Sequence, residues 1–235
     1  MELSKRLQAV AALAAQGDTI ADIGTDHAYI PIELIQRRVI SYAIAMDVHR
    51  GPLERAAAHV QAAELEKKIE LRLSDGFEKL SPGEVDCAVL AGMGGNLVMK
   101  ILKDKMRVTC SLKSCILQPQ SEIAKVRAFL IEEGFLIIAE DMVCEDGKYY
   151  PMMKVLTPGN GPAEPMWDEV QLRFGKLLLE KKHPVLRQLL QRDLKLTEDI
   201  LNNLPLGGGE RIENRKVQLN QEIRYIREGL KYYEM

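Results

Sequence analysis

The stretch ADIGTDHAYIPIEL, residues 21–34, gathers Asp22, Gly24, Asp26, His27 and Tyr29 on what reads as one turn after a strand. A single glycine lets backbone come close to a ligand, and the acidic and polar neighbours suit a cationic group. A pyrophosphate would need the two further glycines of a dinucleotide fingerprint, and these are absent. Asp47 ends AIAMD, where it either accepts hydrogen bonds from a ribose diol or caps the helix behind it. In SDGF, residues 74–77, Asp75 is placed for an adenine amino group and Gly76 admits the ring, although Asp-Gly also makes plain turns. LAGMGGN, residues 90–96, brings Gly92, Met93 and Gly94 ahead of a helix, as ligand-lining backbone or as a tight strand-to-helix turn. A ribose, an adenine and a cationic amino-acid end without phosphate describe S-adenosylmethionine, which this set of turns fits.

The turns need strands to carry them. Apolar runs at 19–24, 43–48, 69–75, 85–91 and 115–118 alternate with helical patterns near 30–38, 52–64, 96–102 and 121–133. This alternation predicts an α/β fold with a parallel, Rossmann-like sheet covered on both faces. Runs at 135–144 and 149–157 then flank Asp146-Gly147, predicting an antiparallel hairpin at the end of the sheet. Rossmann-like class I methyltransferases close their sheets in this way.

TPGNGPAEP, residues 157–165, is a Pro/Gly-rich break that predicts a sheet domain over 1–159 and a helical domain over 160–235. Helical patterns run from about 167 to 204, with Pro184 starting a new helix or kinking the first, and from about 211 to 233. Ile212, Leu219, Ile226 and Tyr233 recur every seventh residue, with Ile223 and Leu230 between them and Lys216 as a polar intruder. The glycines of LPLGGGE invite the chain to double back into a coiled-coil-like helical hairpin. Two helices lying flat on the sheet domain are the alternative.

With 235 residues, 46% hydrophobic and 28% charged, the chain is an ordinary globular protein without a run long enough to span a bilayer. MELSKRLQAVAALAAQG imitates a signal peptide, but Leu3, Leu7, Val10 and Leu13 fall at helical spacing and favour an amphipathic first helix. Four cysteines without C-x-x-C pairing predict reduced thiols in a cytoplasmic protein and no metal site. A net charge of −2 leaves room for a local basic face that meets phosphate, for example Lys5 and Arg6, Arg37 and Arg38, or the helical-domain cations Lys181, Lys182, Arg211 and Arg215.

Together, DIGTDHAYIP, AMDVHRGPLERA, SDGFEKL, AGMGG and ILQP resemble the bacterial tRNA (adenine(22)-N1)-methyltransferase family over nearly the whole chain. The resemblance implies S-adenosylmethionine as methyl donor and tRNA as partner, with N1 of an adenine in the D-arm region as acceptor. It puts Gly24 in the cofactor pocket beside Asp22, Asp26 and His27, with Asp47 on the ribose, Asp75 and Gly76 at the adenine, and Gly92, Met93 and Gly94 flanking the methyl group. Tyr29 is expected to stack on or hydrogen-bond the target base, or else to anchor its helix in the core. Asp26 is expected to stabilise developing charge, and His27 to accept a proton or orient the loop. Neither a membrane nor a stable protein partner is expected. On residues alone, a different RNA, a small molecule, or NAD-dependent oxidoreduction stays open.

Overall fold

Ile20–Ile23 (β1) is buried at every position, so no polar–apolar alternation marks it in the sequence. Ala43–Asp47 (β2), Ile69–Leu73 (β3), Cys87–Met93 (β4) and Ser114–Pro119 (β5) join it in parallel in the order β3-β2-β1-β4-β5. The coordinates are a computed structural model that describes residues 3–163, 165–205 and 209–234. Strand order reverses between β1 and β4, which pair through Ile23 and Leu90, and an open sheet offers its ligand crevice at such a reversal.

Helices Lys5–Ala12 (α1), Tyr29–Gln36 (α2), Arg50–Ala62 (α3), Gly95–Asp104 (α4), Met106–Thr109 (α5) and Ile123–Glu132 (α6) belong to the same unit. Val10, Ile20, Leu34, Ala43, Val60 and Val89 meet in one apolar cluster, so α1, α2 and α3 share a core with the sheet. Leu136–Glu145 (β6) and Lys148–Leu156 (β7) turn at Asp146 and Gly147, with φ of 50° and 75°. Positive φ at both central residues matches the right-handed twist of the flanking strands. β7 then inserts antiparallel between β5 and β6, giving the expected hairpin at the sheet's end.

The chain divides into two compact units after Met166. In the second, the expected helical run over 167–204 is broken into Glu169–Phe174 (α7), Lys176–Glu180 (α8) and Pro184–Asn202 (α9). Gly175 breaks the run at φ 92°, and Pro184 opens α9, where its missing N–H costs nothing. Gly209–Lys231 (α10) follows; Gly207 and Gly208 of the expected reversal lie outside the described residues. Tyr233 donates to the His183 carbonyl at 2.9 Å, so the end of α10 returns to the start of α9, and Arg227 pairs with Glu198, nearer the other end of α9, at 2.8 Å. Leu219, Ile223 and Ile226 of the seven-residue stripe are buried, while Ile212 and Lys216 are half-covered. At Gly229 an added Cβ would lie 3.2 Å from Phe174 and 3.3 Å from Leu190, so only glycine permits that approach. Among the described residues no helix is long and apolar enough to cross a membrane.

One ion pair ties α6 to β6 without solvent: Arg127 Nε donates to Glu140 at 2.8 Å, with both side chains at most 1% exposed. Arg127→Met alone should cost about 3–5 kcal/mol, because the buried Glu140 loses the cation that faces it. Arg127→Met with Glu140→Leu should regain most of that loss in a denaturant melt. A single variant as stable as wild type would show that the pair contributes nothing.

Candidate active site

The crevice at the strand reversal opens into a cavity of about 360 Å³. Asp22, Gly24, Asp26, His27 and Tyr29 reach it from the end of β1 and the start of α2, Gly92 from β4, and Arg6 from α1. Gly24 holds φ at 72° with its Cα packed against Met93, whose terminal methyl lies 2.3 Å from where a Cβ would sit. Any side chain at 24 would therefore displace Met93. Gly92, at φ 80°, marks a bulge in the β4–β5 pairing that turns the strand end toward the cavity. Gly94 lies two residues further on, as the cap of α4.

Two charges of opposite sign face this space without a charged partner among the described residues. Asp22 is 6% exposed, and burial pushes its carboxyl up to about 6, against a Thr25 hydrogen bond that pulls it down and the Asp47 charge that raises it further. Thr25 Oγ1 also accepts from the Ala28 amide at 3.1 Å, which ties the loop to the start of α2. Arg6 donates to Gln118 Oε1 at 3.0 Å, and its guanidinium lies 5.7 Å from the Tyr150 ring centroid. The fully buried Gln118 also accepts from the Gly92 amide at 3.2 Å. A buried amide therefore aims a cation at the mouth of the cavity, where sequence reading expected only a phosphate-contacting side chain.

His27, Tyr29 and His59 form a ring cluster on the cavity wall. The His27 and Tyr29 rings lie 4.7 Å apart and 9° from parallel, and the Tyr29 and His59 rings 5.2 Å apart. Tyr29 opens α2, is half-buried and lines the cavity. Asp26 is exposed and gripped by Arg55, whose Nε donates at 2.9 Å and whose Nη2 donates to the same oxygen.

The remaining expected residues stand apart from this cavity. Asp75 and Gly76 line a second, smaller pocket together with Leu97 and Ile101. The Asp75 carboxylate is exposed and has no partner among the described residues, and an added Cβ on Gly76 would lie 3.0 Å from Ile101. Asp47, at the end of β2, spends its carboxylate on the His49 amide at 2.7 Å, the local turn geometry that competes with ligand binding. Burial pushes the Cys87 thiol up to about 11 and Cys115 well above its ordinary value, so neither is a nucleophile.

Gln118, Gln120, Arg55 and His59 carried no assigned role in the sequence reading. Gln118 stands in ILQP, one of the motifs that supported the resemblance. Arg55 and His59 are four apart in α3, which was legible only as one face of a helix.

The profile of the tRNA (adenine(22)-N(1))-methyltransferase family matches residues 20–228. The Bacillus subtilis enzyme of that name is 34% identical over 87% of this chain and 86% of its own length. The crystal structure of a B. subtilis m1A22 tRNA methyltransferase superposes with a TM-score of 0.84 at 29% identity, covering 97% of this chain and 99% of that one. A Mycoplasma capricolum protein solved with S-adenosyl-homocysteine gives 0.83 at 26% identity over 99% of both chains. A Streptococcus pneumoniae protein crystallised with S-adenosyl-L-methionine gives 0.86 at 33% identity, over 97% of this chain and all of that one. With its sheet, its terminal hairpin and a match spanning most of its length, the chain belongs to the tRNA (adenine(22)-N1)-methyltransferase family.

Proposed function

We propose that the chain seats S-adenosylmethionine at the β1–β4 crevice and delivers its methyl group to N1 of adenine 22 in tRNA. The observation that carries this reading is the pair of opposite charges on one cavity, Asp22 and Arg6, neither with a charged partner among the described residues. A zwitterionic amino-acid end satisfies both: the ammonium meets Asp22 and the carboxylate meets Arg6. Gly24 and Gly92 keep the backbone between them free of Cβ atoms. Asp75, with no partner among the described residues, and Gly76 suit the adenine end at the neighbouring pocket; Asp47 holds the His49 amide through Oδ1, and its second oxygen suits a ribose hydroxyl.

The bound sulfonium supplies an electrophilic methyl group; the chain's residues orient the nucleophile and exclude water. Adenine N1 already has a lone pair, so no base has to act before attack. Because N1 is occupied in a base pair, the target must be unpaired or flipped out to reach the site. The His27–Tyr29 stack offers an aromatic face to the base, and such a face favours the positive charge that grows on the ring during transfer. Asp26 adds negative charge beside it, partly offset by Arg55. For the body of the tRNA, Lys181, Lys182, Arg211 and Arg215 of the second unit are exposed cations suited to phosphate contacts.

Asp22 must lose its proton to meet an ammonium, so cofactor affinity should be full above about pH 6 and fall as pH drops through that value. Asp22→Asn should bind the cofactor about tenfold to a hundredfold more weakly at neutral pH and lose the pH dependence. Calorimetric titration measures both; wild-type affinity in the variant would remove Asp22 from the site. Asp26→Asn, His27→Ala and Tyr29→Ala, each still binding cofactor, should methylate a tRNA transcript more slowly, and wild-type turnover in all three would withdraw the base-side assignment. Reversing the four second-unit cations to glutamate should weaken tRNA binding and flatten its salt dependence while cofactor affinity stays unchanged. Unaltered tRNA binding would locate the phosphate contacts elsewhere.

A further inference from the structure

We infer that Arg55 and His59 are positioning residues for methyl transfer: one face of α3 holds the loop at residues 26–29 in the geometry that receives the target adenine. The inference rests on the reading above in which that loop meets the base.

Residues four apart on a helix project from the same face, and in α3 both such side chains reach the loop. Arg55 Nε donates to Asp26 Oδ1 at 2.9 Å. Asp26 Oδ2 lies 3.3 Å from His27 Nε2, and His27 Nδ1 lies 3.3 Å from His59 Nδ1. The same His59 nitrogen is 3.3 Å from the His27 carbonyl oxygen. The donors in this chain fall into one order. An ionised Asp26 accepts from both sides, so His27 carries its proton on Nε2. Its Nδ1 is then a lone pair, and His59 Nδ1–H is the donor that faces it. His59 thereby fixes the tautomer of His27 and the plane of its ring, and that plane sets Tyr29, stacked 9° from parallel. Arg55 holds the far end by fixing Asp26. Losing either anchor frees the aromatic face to turn, and the incoming base loses its alignment with the methyl group.

The pair His59→Leu and His59→Asn tests this in the full-length protein. Leucine keeps bulk but removes the donor, whereas asparagine restores an N–H to the loop. Turnover number, KM for a tRNA transcript, cofactor Kd and melting temperature are measured for each. His59→Leu should lose about tenfold or more in kcat with cofactor Kd and melting temperature near wild type, and His59→Asn should recover most of the loss. The inference is overturned if His59→Leu turns over as wild type, if asparagine rescues nothing, or if lost activity simply follows lost cofactor binding or stability. His27→Ala, measured alongside, separates the two levels. Slow His27→Ala beside a fully active His59→Leu removes the positioning role alone, while a fully active His27→Ala removes the base-side reading with it.

Discussion

A carboxylate near the end of a buried parallel strand is an expensive arrangement, and Asp22 is placed there with no cation paired to it among the described residues. Burial raises its carboxyl from 3.8 to about 6, so ionising it as pH climbs across that window costs the unliganded fold about 3 kcal/mol. That is a sizeable share of the stability of a typical domain. In the proposed reading, a ligand cation beside Asp22 would offset that penalty and make the site selective for a charged partner. Arg6 stands at the same cavity, and Gln118 holds it there through the same oxygen that receives the Gly92 amide.

The sheet explains why these groups meet. Parallel strands all present their carboxyl ends on one edge, and the order reversal between β1 and β4 opens a gap there. Glycines at both lips, Gly24 and Gly92, keep the gap open, since a side chain at 24 would collide with Met93. α1 contributes from outside the β–α alternation, delivering Arg6 across the same opening. α3 has a different task, presenting Arg55 and His59 to the loop that follows β1.

Much of this was legible because strands and turns announce themselves by local chemistry. Apart from Asp22 and Asp47 near their carboxyl ends, the residues of β1, β2 and β4 are apolar or small, and Asp146-Gly147 fixes a hairpin by its backbone preference. The loop at Asp22–Tyr29 reads equally well as a structural turn when taken alone, and only its registration with the turns after the other strands marks it as a candidate binding turn. Contacts distant in sequence were harder to read. Nothing local tells that Arg6 reaches the cavity, that His59 faces His27, or that Asp47 turns its carboxylate to the His49 amide. The long helical pattern after residue 167 misled for a related reason: helical periodicity continues across Gly175, while the left-handed backbone there ends the helix.

Counting protons released on cofactor binding tests the central electrostatic argument most directly. Calorimetry of S-adenosylmethionine binding near pH 6, in buffers of different ionisation enthalpy, should show wild-type protein releasing about half a proton and Asp22→Asn releasing none. Equal proton release from the two proteins would contradict the account, because the buried carboxylate would then not be the group that answers the ligand's charge.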